Sequence, residues 1–148
     1  MLLKILGYKN IDEIIAFDKL CFPTDCWKEE DWEDLLKDER SVYYAFTEGD
    51  KIAADIFIYN WKGEYDYVKI MNVAVHPDFR GMGLAKKLLD HVTEEMRKQK
   101  MYRFCGETRA SNKAMQRTFE KCGYYLDKIE VNYYTNPEES AYKYVLKL

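Results

Sequence analysis

The chain is 148 residues long, 47% apolar and 33% charged, with a formal net charge of −3. That length suits a single domain over residues 1–148 with a real core, and the composition excludes a disordered chain. The lack of a basic surplus argues against a nucleic-acid partner, and no apolar stretch approaches the roughly 18 residues of a membrane span or follows Met1 as a signal would.

Four cysteines, Cys21, Cys26, Cys105 and Cys122, form no Cys-x-x-Cys pair, and His76 and His91 stand at no ligand spacing to them. They read as reduced thiols of a cytoplasmic protein, and no metal is expected.

Leu2 to Ile5 reads as a first strand. Asn10 then suits an N-cap, with Glu13 completing a capping box for a helix to about Leu20 that buries Ile11, Ile14, Ile15 and Phe17. Pro23 interrupts it. Trp27 opens a second helix to about Lys37, with Trp32, Leu35 and Leu36 inward. Trp27 and Trp32 suit core packing; lining a substrate cleft is the other reading. Ser41–Thr47 and Lys51–Tyr59 are strands joined around Glu48-Gly49-Asp50, a hairpin signal. Val68–Val75 is mostly apolar and β-branched, as a strand covered on both faces is. Leu84, Leu88, Leu89, Val92 and Met96 then recur at helical spacing to about residue 99. Tyr102–Thr108 is a further strand. Ala110-Ser111-Asn112 starts a helix striped by Met115, Phe119 and Cys122 and closed by Gly123. Tyr124–Tyr133 and Ala141–Leu148 are the last strands, the latter alternating Tyr142, Tyr144, Leu146 and Leu148 with Lys143 and Lys147.

The stretch from Asn72 to Ala85 organises the rest. It reads as a strand, a tight turn holding Arg80, Gly81, Met82 and Gly83, and a helix start. Such a junction points backbone N–H groups of a helix N-terminus outward, which suits phosphate or pyrophosphate. Glycines let a ligand come close to the backbone, and Arg80 adds a charge-assisted donor. A dinucleotide fingerprint from Gly81 needs glycine where Lys86 stands. A Walker loop needs Lys and Ser or Thr where Leu84 and Ala85 stand.

What remains is Arg80-x-x-Gly83-x-Ala85 behind Val73-Ala74-Val75 and Pro77. This pattern resembles the acetyl-coenzyme A pyrophosphate loop of the GCN5-related N-acetyltransferases (GNAT). The resemblance implies their α+β fold of mixed α/β layers, a mostly antiparallel sheet with splayed central strands flanked by helices. The order β-α-α-β-β-β-α-β-α-β-β is that fold's order. It implies acetyl-CoA as cofactor, with the pyrophosphate on Arg80, Gly81, Met82, Gly83, Leu84 and Ala85. The pantetheine arm would run along Val73, Ala74 and Val75, where the strands 68–75 and 102–108 part, and an N–H near Val73 would serve the oxyanion.

A narrower resemblance runs from Asn72 to Ala141. Glu107-x-Arg109-Ala110-Ser111-Asn112, then Glu120-Lys121-Cys122-Gly123-Tyr124, Asn132-Tyr133-Tyr134 and Glu139-x-Ala141 are similar to the ribosomal-protein alanine N-acetyltransferases, the RimI-like branch. Phe22-Pro23 followed by Trp27 is similar to that branch's first loop. The resemblance implies Glu107 as general base and Asn112 as a coenzyme-side contact. It implies Tyr133 and Tyr134, with Trp27 and Asn72, around the acceptor slot. Read alone, Glu107 suits a strand-end salt bridge, Asn112 a helix cap, and the two tyrosines aromatic packing. One departure matters: seven residues after the asparagine the branch carries a tyrosine as acid for the departing thiolate, and this chain has Phe119. Phe119 inherits a place on the coenzyme side, while its own stripe makes it a core residue.

The amine's basicity weighs the acceptors. At pH 7 an α-amine loses its proton for about 1 kcal/mol and a lysine side chain for about 4–5 kcal/mol. A single carboxylate base suits the former. The sequence therefore predicts an acetyl-CoA-dependent N-acetyltransferase acting on the N-terminal α-amine of a protein or peptide. The alternative is a small-molecule amine acetyltransferase for a polyamine, amino acid or aminoglycoside-like amine, and a third reading is a coenzyme-binding module without turnover. The oligomeric state is not written in the sequence.

Overall fold

The computed structural model describes residues 1–148 throughout. Its strands are β1 (Leu2–Leu6), β2 (Ser41–Glu48), β3 (Lys51–Asn60), β4 (Val68–Val75), β5 (Arg103–Arg109), β6 (Tyr125–Tyr134) and β7 (Glu139–Lys147). Its helices are α1 (Ile11–Cys21), α2 (Glu29–Lys37), α3 (Leu84–Lys98) and α4 (Lys113–Lys121), with 3₁₀ turns at Tyr8–Asn10 and Pro77–Phe79. Hydrogen-bonded strand neighbours follow the order β1-β2-β3-β4-β5-β7-β6. The β4–β5 pair is parallel, and β1–β2, β2–β3, β5–β7 and β6–β7 are antiparallel. This is the expected α+β fold and element order.

The chain forms two compact units, and β4 and α3 contribute residues to both. The first comprises Met1–Tyr59 and Met71–Leu88. Its core gathers Ile14, Phe17, Trp32, Tyr43, Ala45, Ile52, Phe57 and Ala74, with Trp27, Leu35 and Leu36 packed against it. Trp32 is the keystone: its ring meets Trp27 at 4.5 Å, Phe57 at 5.2 Å and Tyr43 at 6.1 Å. Burying such rings contributes more than any other side chain here, since each covers about 150–250 Å².

The second unit comprises Asn60–Ile70 and Leu89–Leu148. β5 pairs with β7 along its whole length, Arg103 with Lys147 through Arg109 with Ala141. With β4 it keeps register only at Val68–Phe104 and Lys69–Cys105. Gly106 is required by close approach: a Cβ there would stand 2.8 Å from Cζ of Phe119. Phe119 stacks on Tyr144 at 5.0 Å and meets Tyr124 at 5.0 Å.

Several local expectations are corrected. Asn10 makes no capping box: its Oδ1 accepts from the Gly7 N–H at 3.2 Å, closing the preceding 3₁₀ turn, and its side chain caps nothing on α1. The second helix starts at Glu29, not Trp27, because Lys28 before it is extended at φ −70° and ψ 152°. β4 is not covered on both faces: Val68, Ile70 and Ala74 are buried while its other residues are half-buried. In β7 the alternation fails at Val145, which is buried beside Tyr144 and Leu146. The α3 stripe is as read, with Leu84, Leu88, Leu89, Val92 and Met96 all buried.

Candidate active site

In the first unit, the turn into α3 is built from its own sequence. His76 Nδ1 accepts from the Asp78 N–H at 3.0 Å and opens the 3₁₀ turn at Pro77. Arg80 is extended, then Gly81 and Gly83 adopt φ of 81° and 72°, a left-handed backbone that side chains disfavour. A Cβ built on either would meet nothing within 4 Å. Arg80, Gly81, Met82 and Gly83 are exposed, Leu84 is buried and Ala85 half-buried. The first turn of α3 carries no acidic residue of its own.

The same unit holds two buried carboxylates that sequence reasoning missed. Asp18 Oδ2 accepts from the Trp27 N–H at 2.9 Å and from Trp32 Nε1 at 3.0 Å, and Oδ1 accepts from Asn72 Nδ2 at 3.3 Å. Asp18 therefore fixes Trp27 and Asn72, two expected acceptor-slot residues, although burial raises its own pKa. Trp27 packs on the core as well, which its sequence reading had favoured. Asp55 takes a hydrogen bond from the Tyr43 hydroxyl and one from the Ala74 N–H. Burial pushes its pKa from 3.8 to about 7. Burial and the nearby Asp55 carboxylate push the Cys21 thiol up to about 12, so Cys21 stays protonated and is no nucleophile.

The Asp55 shift has a signed consequence. Folded Asp55 holds its proton up to about pH 7, whereas the unfolded chain releases it near 3.8. Stability from this group is full below pH 3.8 and is lost as pH rises to about 7. Asp55→Asn is expected to flatten the stability curve over that window by up to about 4 kcal/mol, as read from urea midpoints at several pH values. An unchanged slope would place the proton elsewhere.

In the second unit, Glu107 lies on β5 among three polar groups. Its Oε1 accepts from the Tyr133 hydroxyl at 3.0 Å and from Lys69 Nζ at 3.4 Å. Its Oε2 is buried and accepts no hydrogen bond, with Lys143 Nζ at 3.7 Å as an ion pair. Lys143 also pairs with Glu130 at 3.2 Å and stands 4.9 Å over the Tyr133 ring. One carboxylate oxygen thus keeps its accepting capacity. Lys69 is the one charge in an otherwise apolar strand start, and that was the signal available in the sequence.

Arg109 organises the connection after β6. It donates to the carbonyls of Pro137 at 2.8 Å and Thr135 at 2.6 Å, pairs with Glu139 at 3.1 Å, and lies 4.7 Å over the Tyr134 ring. Glu139 Oε1 accepts from the Ser111 N–H at 2.5 Å, and these bonds hold its pKa down. Tyr134 packs edge-on to Tyr133 at 5.0 Å, so this clamp fixes both tyrosines. Asn112 caps α4, its Oδ1 accepting from the Met115 N–H at 3.1 Å. Phe119 is 1% exposed and offers no surface to a coenzyme, which corrects the place it inherited by resemblance.

The acetyltransferase (GNAT) family matches residues 9–124. This chain belongs to the GNAT family. The GNAT chain is similar to the [ribosomal protein bS18]-alanine N-acetyltransferase of Escherichia coli strain K12, 32% identical over 105 residues, covering 70% of this chain and 69% of that protein. The Haemophilus ducreyi protein of the same name is 30% identical over 108 residues, 72% of each chain. In three dimensions this GNAT chain is similar to the crystal structure of the ribosomal-protein-S18-alanine N-acetyltransferase from Escherichia coli, with a TM-score of 0.86 and 26% identity, covering 99% of this chain and 94% of that one.

As a GNAT protein the chain is an acetyl-CoA-dependent N-acetyltransferase, as the sequence predicted. The loop fits such a group on its own geometry. Two left-handed glycines leave room at the backbone, Arg80 is exposed beside them, and no carboxylate competes in the first turn of α3. No helix is long and apolar enough to cross a membrane.

Proposed function

We propose that residues 1–148 form one N-acetyltransferase domain that acetylates the N-terminal α-amine of a protein or peptide. The observation that carries this reading is the setting of Glu107, a carboxylate held between Lys69 and Lys143 and bonded to the exposed Tyr133 hydroxyl. An α-amine arrives partly neutral near pH 7 and asks little of a single base. The likeness to enzymes named for an alanine N-terminus of ribosomal protein bS18 points to the same acceptor class. That acceptor carries a cytoplasmic location with it.

Acetyl-CoA, when bound, supplies the acetyl group as a thioester. In this reading Arg80 and the backbone from Gly81 to Ala85 hold its pyrophosphate, and the backbone of Val73, Ala74 and Val75 lies along its pantetheine. Asn112 has its Oδ1 committed to the cap, so only its amide nitrogen is left for the coenzyme. Glu107 removes the amine proton directly or through one water. Tyr133 and Tyr134, held by the Arg109 clamp, serve the acceptor in this reading, and so do Trp27 and Asn72, held by Asp18.

Coenzyme A release from acetyl-CoA, followed with a thiol-reactive dye, tests the acceptor. Peptides with free Ala, Ser, Met or Gly N-termini are expected to turn over, and to stop when the α-amine is blocked. Turnover with polyamines, amino acids or aminosugars alone moves the acceptor to small amines. Silence with both sets, while acetyl-CoA still binds, sinks the acceptor reading.

A further inference from the structure

The reaction ends with a thiolate that needs a proton, and Phe119 has none to give. Its ring is buried between Gly106, Tyr124 and Tyr144. The Tyr124 side chain is buried as well, whereas a donor to the thiolate must reach the bound substrate. Tyr133 is different. It is 41% exposed, and its hydroxyl is bonded to the carboxylate read as the base.

We infer that Tyr133 is the proton donor to the departing thiolate, and that Glu107 returns the proton to it. This rests on the reading of Glu107 as base. The Tyr133 hydroxyl stands 3.0 Å from the carboxylate, which is the distance at which the two exchange a proton.

The step balances within these groups. The amine lone pair forms the N–C bond, and the nitrogen loses its proton to Glu107. The C–S bond breaks with its electron pair on sulfur, and the sulfur takes the phenolic proton of Tyr133. The protonated Glu107, after its carboxyl turns, hands its proton to the phenolate. Carboxylate and phenol end as they began, and the products are an amide and a free thiol.

The groups around Tyr133 suit a donor that stays protonated until called on. Glu107 from β5 and Glu130 from β6 face it, Lys143 from β7 lies over its ring, and Lys69 from β4 faces Glu107 from the other side. Burial, then the Glu107 charge and the hydrogen bond to it, raise the Tyr133 pKa above the ordinary tyrosine value of 10.0, against the opposing pull of Lys143. Lys143 limits the charge that builds on the phenolate.

Tyr133→Phe removes the hydroxyl and keeps the ring. It is expected to lower kcat about 10²-fold while the acceptor KM stays within about threefold. A fluorinated tyrosine placed at position 133 keeps ring and hydroxyl and lowers the phenol's pKa. It is expected to move the alkaline limb of kcat to lower pH, a shift that a merely structural role does not produce. Should Tyr133→Phe misfold, as coenzyme A binding by calorimetry will report, the fluorinated protein still decides. A raised acceptor KM with kcat intact, or an unmoved alkaline limb, overturns the proposal and leaves Tyr133 as slot lining. Glu107→Gln measured alongside separates the two readings. If it loses turnover and Tyr133→Phe does not, the donor falls and the base stands. If neither loses turnover, both fall.

Discussion

Glu107→Gln is expected to lower turnover about 10²–10⁴-fold at saturating acceptor, the usual worth of a general base. The substitution is nearly isosteric. The amide oxygen can still accept from Tyr133 and Lys69, so β5 and its neighbours keep their places. What is lost is the accepting capacity of Oε2, where the amide nitrogen becomes a donor facing Lys143. The charge of the pair is lost too, and Lys69 and Lys143 remain close to an uncharged group. Lys143 keeps its ion pair with Glu130 at 3.2 Å, so the loss of charge is partly compensated. Coenzyme A affinity by calorimetry is the control, because none of the loop residues from Arg80 to Ala85 is altered. A change in turnover below about threefold removes Glu107 from the mechanism.

The parts of this site that were legible in the sequence are those carried by short, local patterns. The turn from Arg80 to Ala85 was readable because a left-handed backbone demands glycine at Gly81 and Gly83, and helical periodicity starts at once from Leu84. Glu107 was readable as a carboxylate at a strand end inside a longer motif. The long-range partners were not readable. Asp18 lies in α1 and looks like an ordinary polar position on an amphipathic helix, yet it is 2% exposed and bonded to residues 9, 14 and 54 positions away. Lys143 alternates with tyrosines like any solvent-facing lysine, and only the pairing of Glu107 with Lys143 across β5 and β7 brings it to the carboxylate. Arg109 and Glu139 sat within the quoted motifs without a role until their bonds to the residue 135–139 connection were seen. Phe119 taught the opposite lesson. Its own stripe with Met115 and Cys122 placed it in the core correctly, and the position inherited by resemblance misled.

Gly83→Asp is expected to abolish coenzyme binding while leaving the chain folded. Three effects separate here. The backbone at Gly83 has φ of 72°, which costs an L-residue about 1–2 kcal/mol, and Asp is among the residues that tolerate it best. Space is not limiting, since a Cβ there meets nothing within 4 Å. The new carboxylate also sits at the N-terminus of α3, where a negative charge contributes roughly 0.3–1 kcal/mol of stability. Folding therefore loses little, and thermal melting should shift by only a few degrees. Binding fares differently, because the carboxylate takes the N–H groups meant for a pyrophosphate and repels its charges. Each exposed like-charge contact costs about 1 kcal/mol in water and more where the ligand excludes water. Gly83→Ala carries the same backbone strain without the charge, so it should bind coenzyme A more weakly than the parent and more tightly than Gly83→Asp. Calorimetric titration of both variants decides the matter. Micromolar affinity retained by Gly83→Asp would remove the pyrophosphate from this loop, and equal losses in the two variants would assign the effect to backbone strain alone.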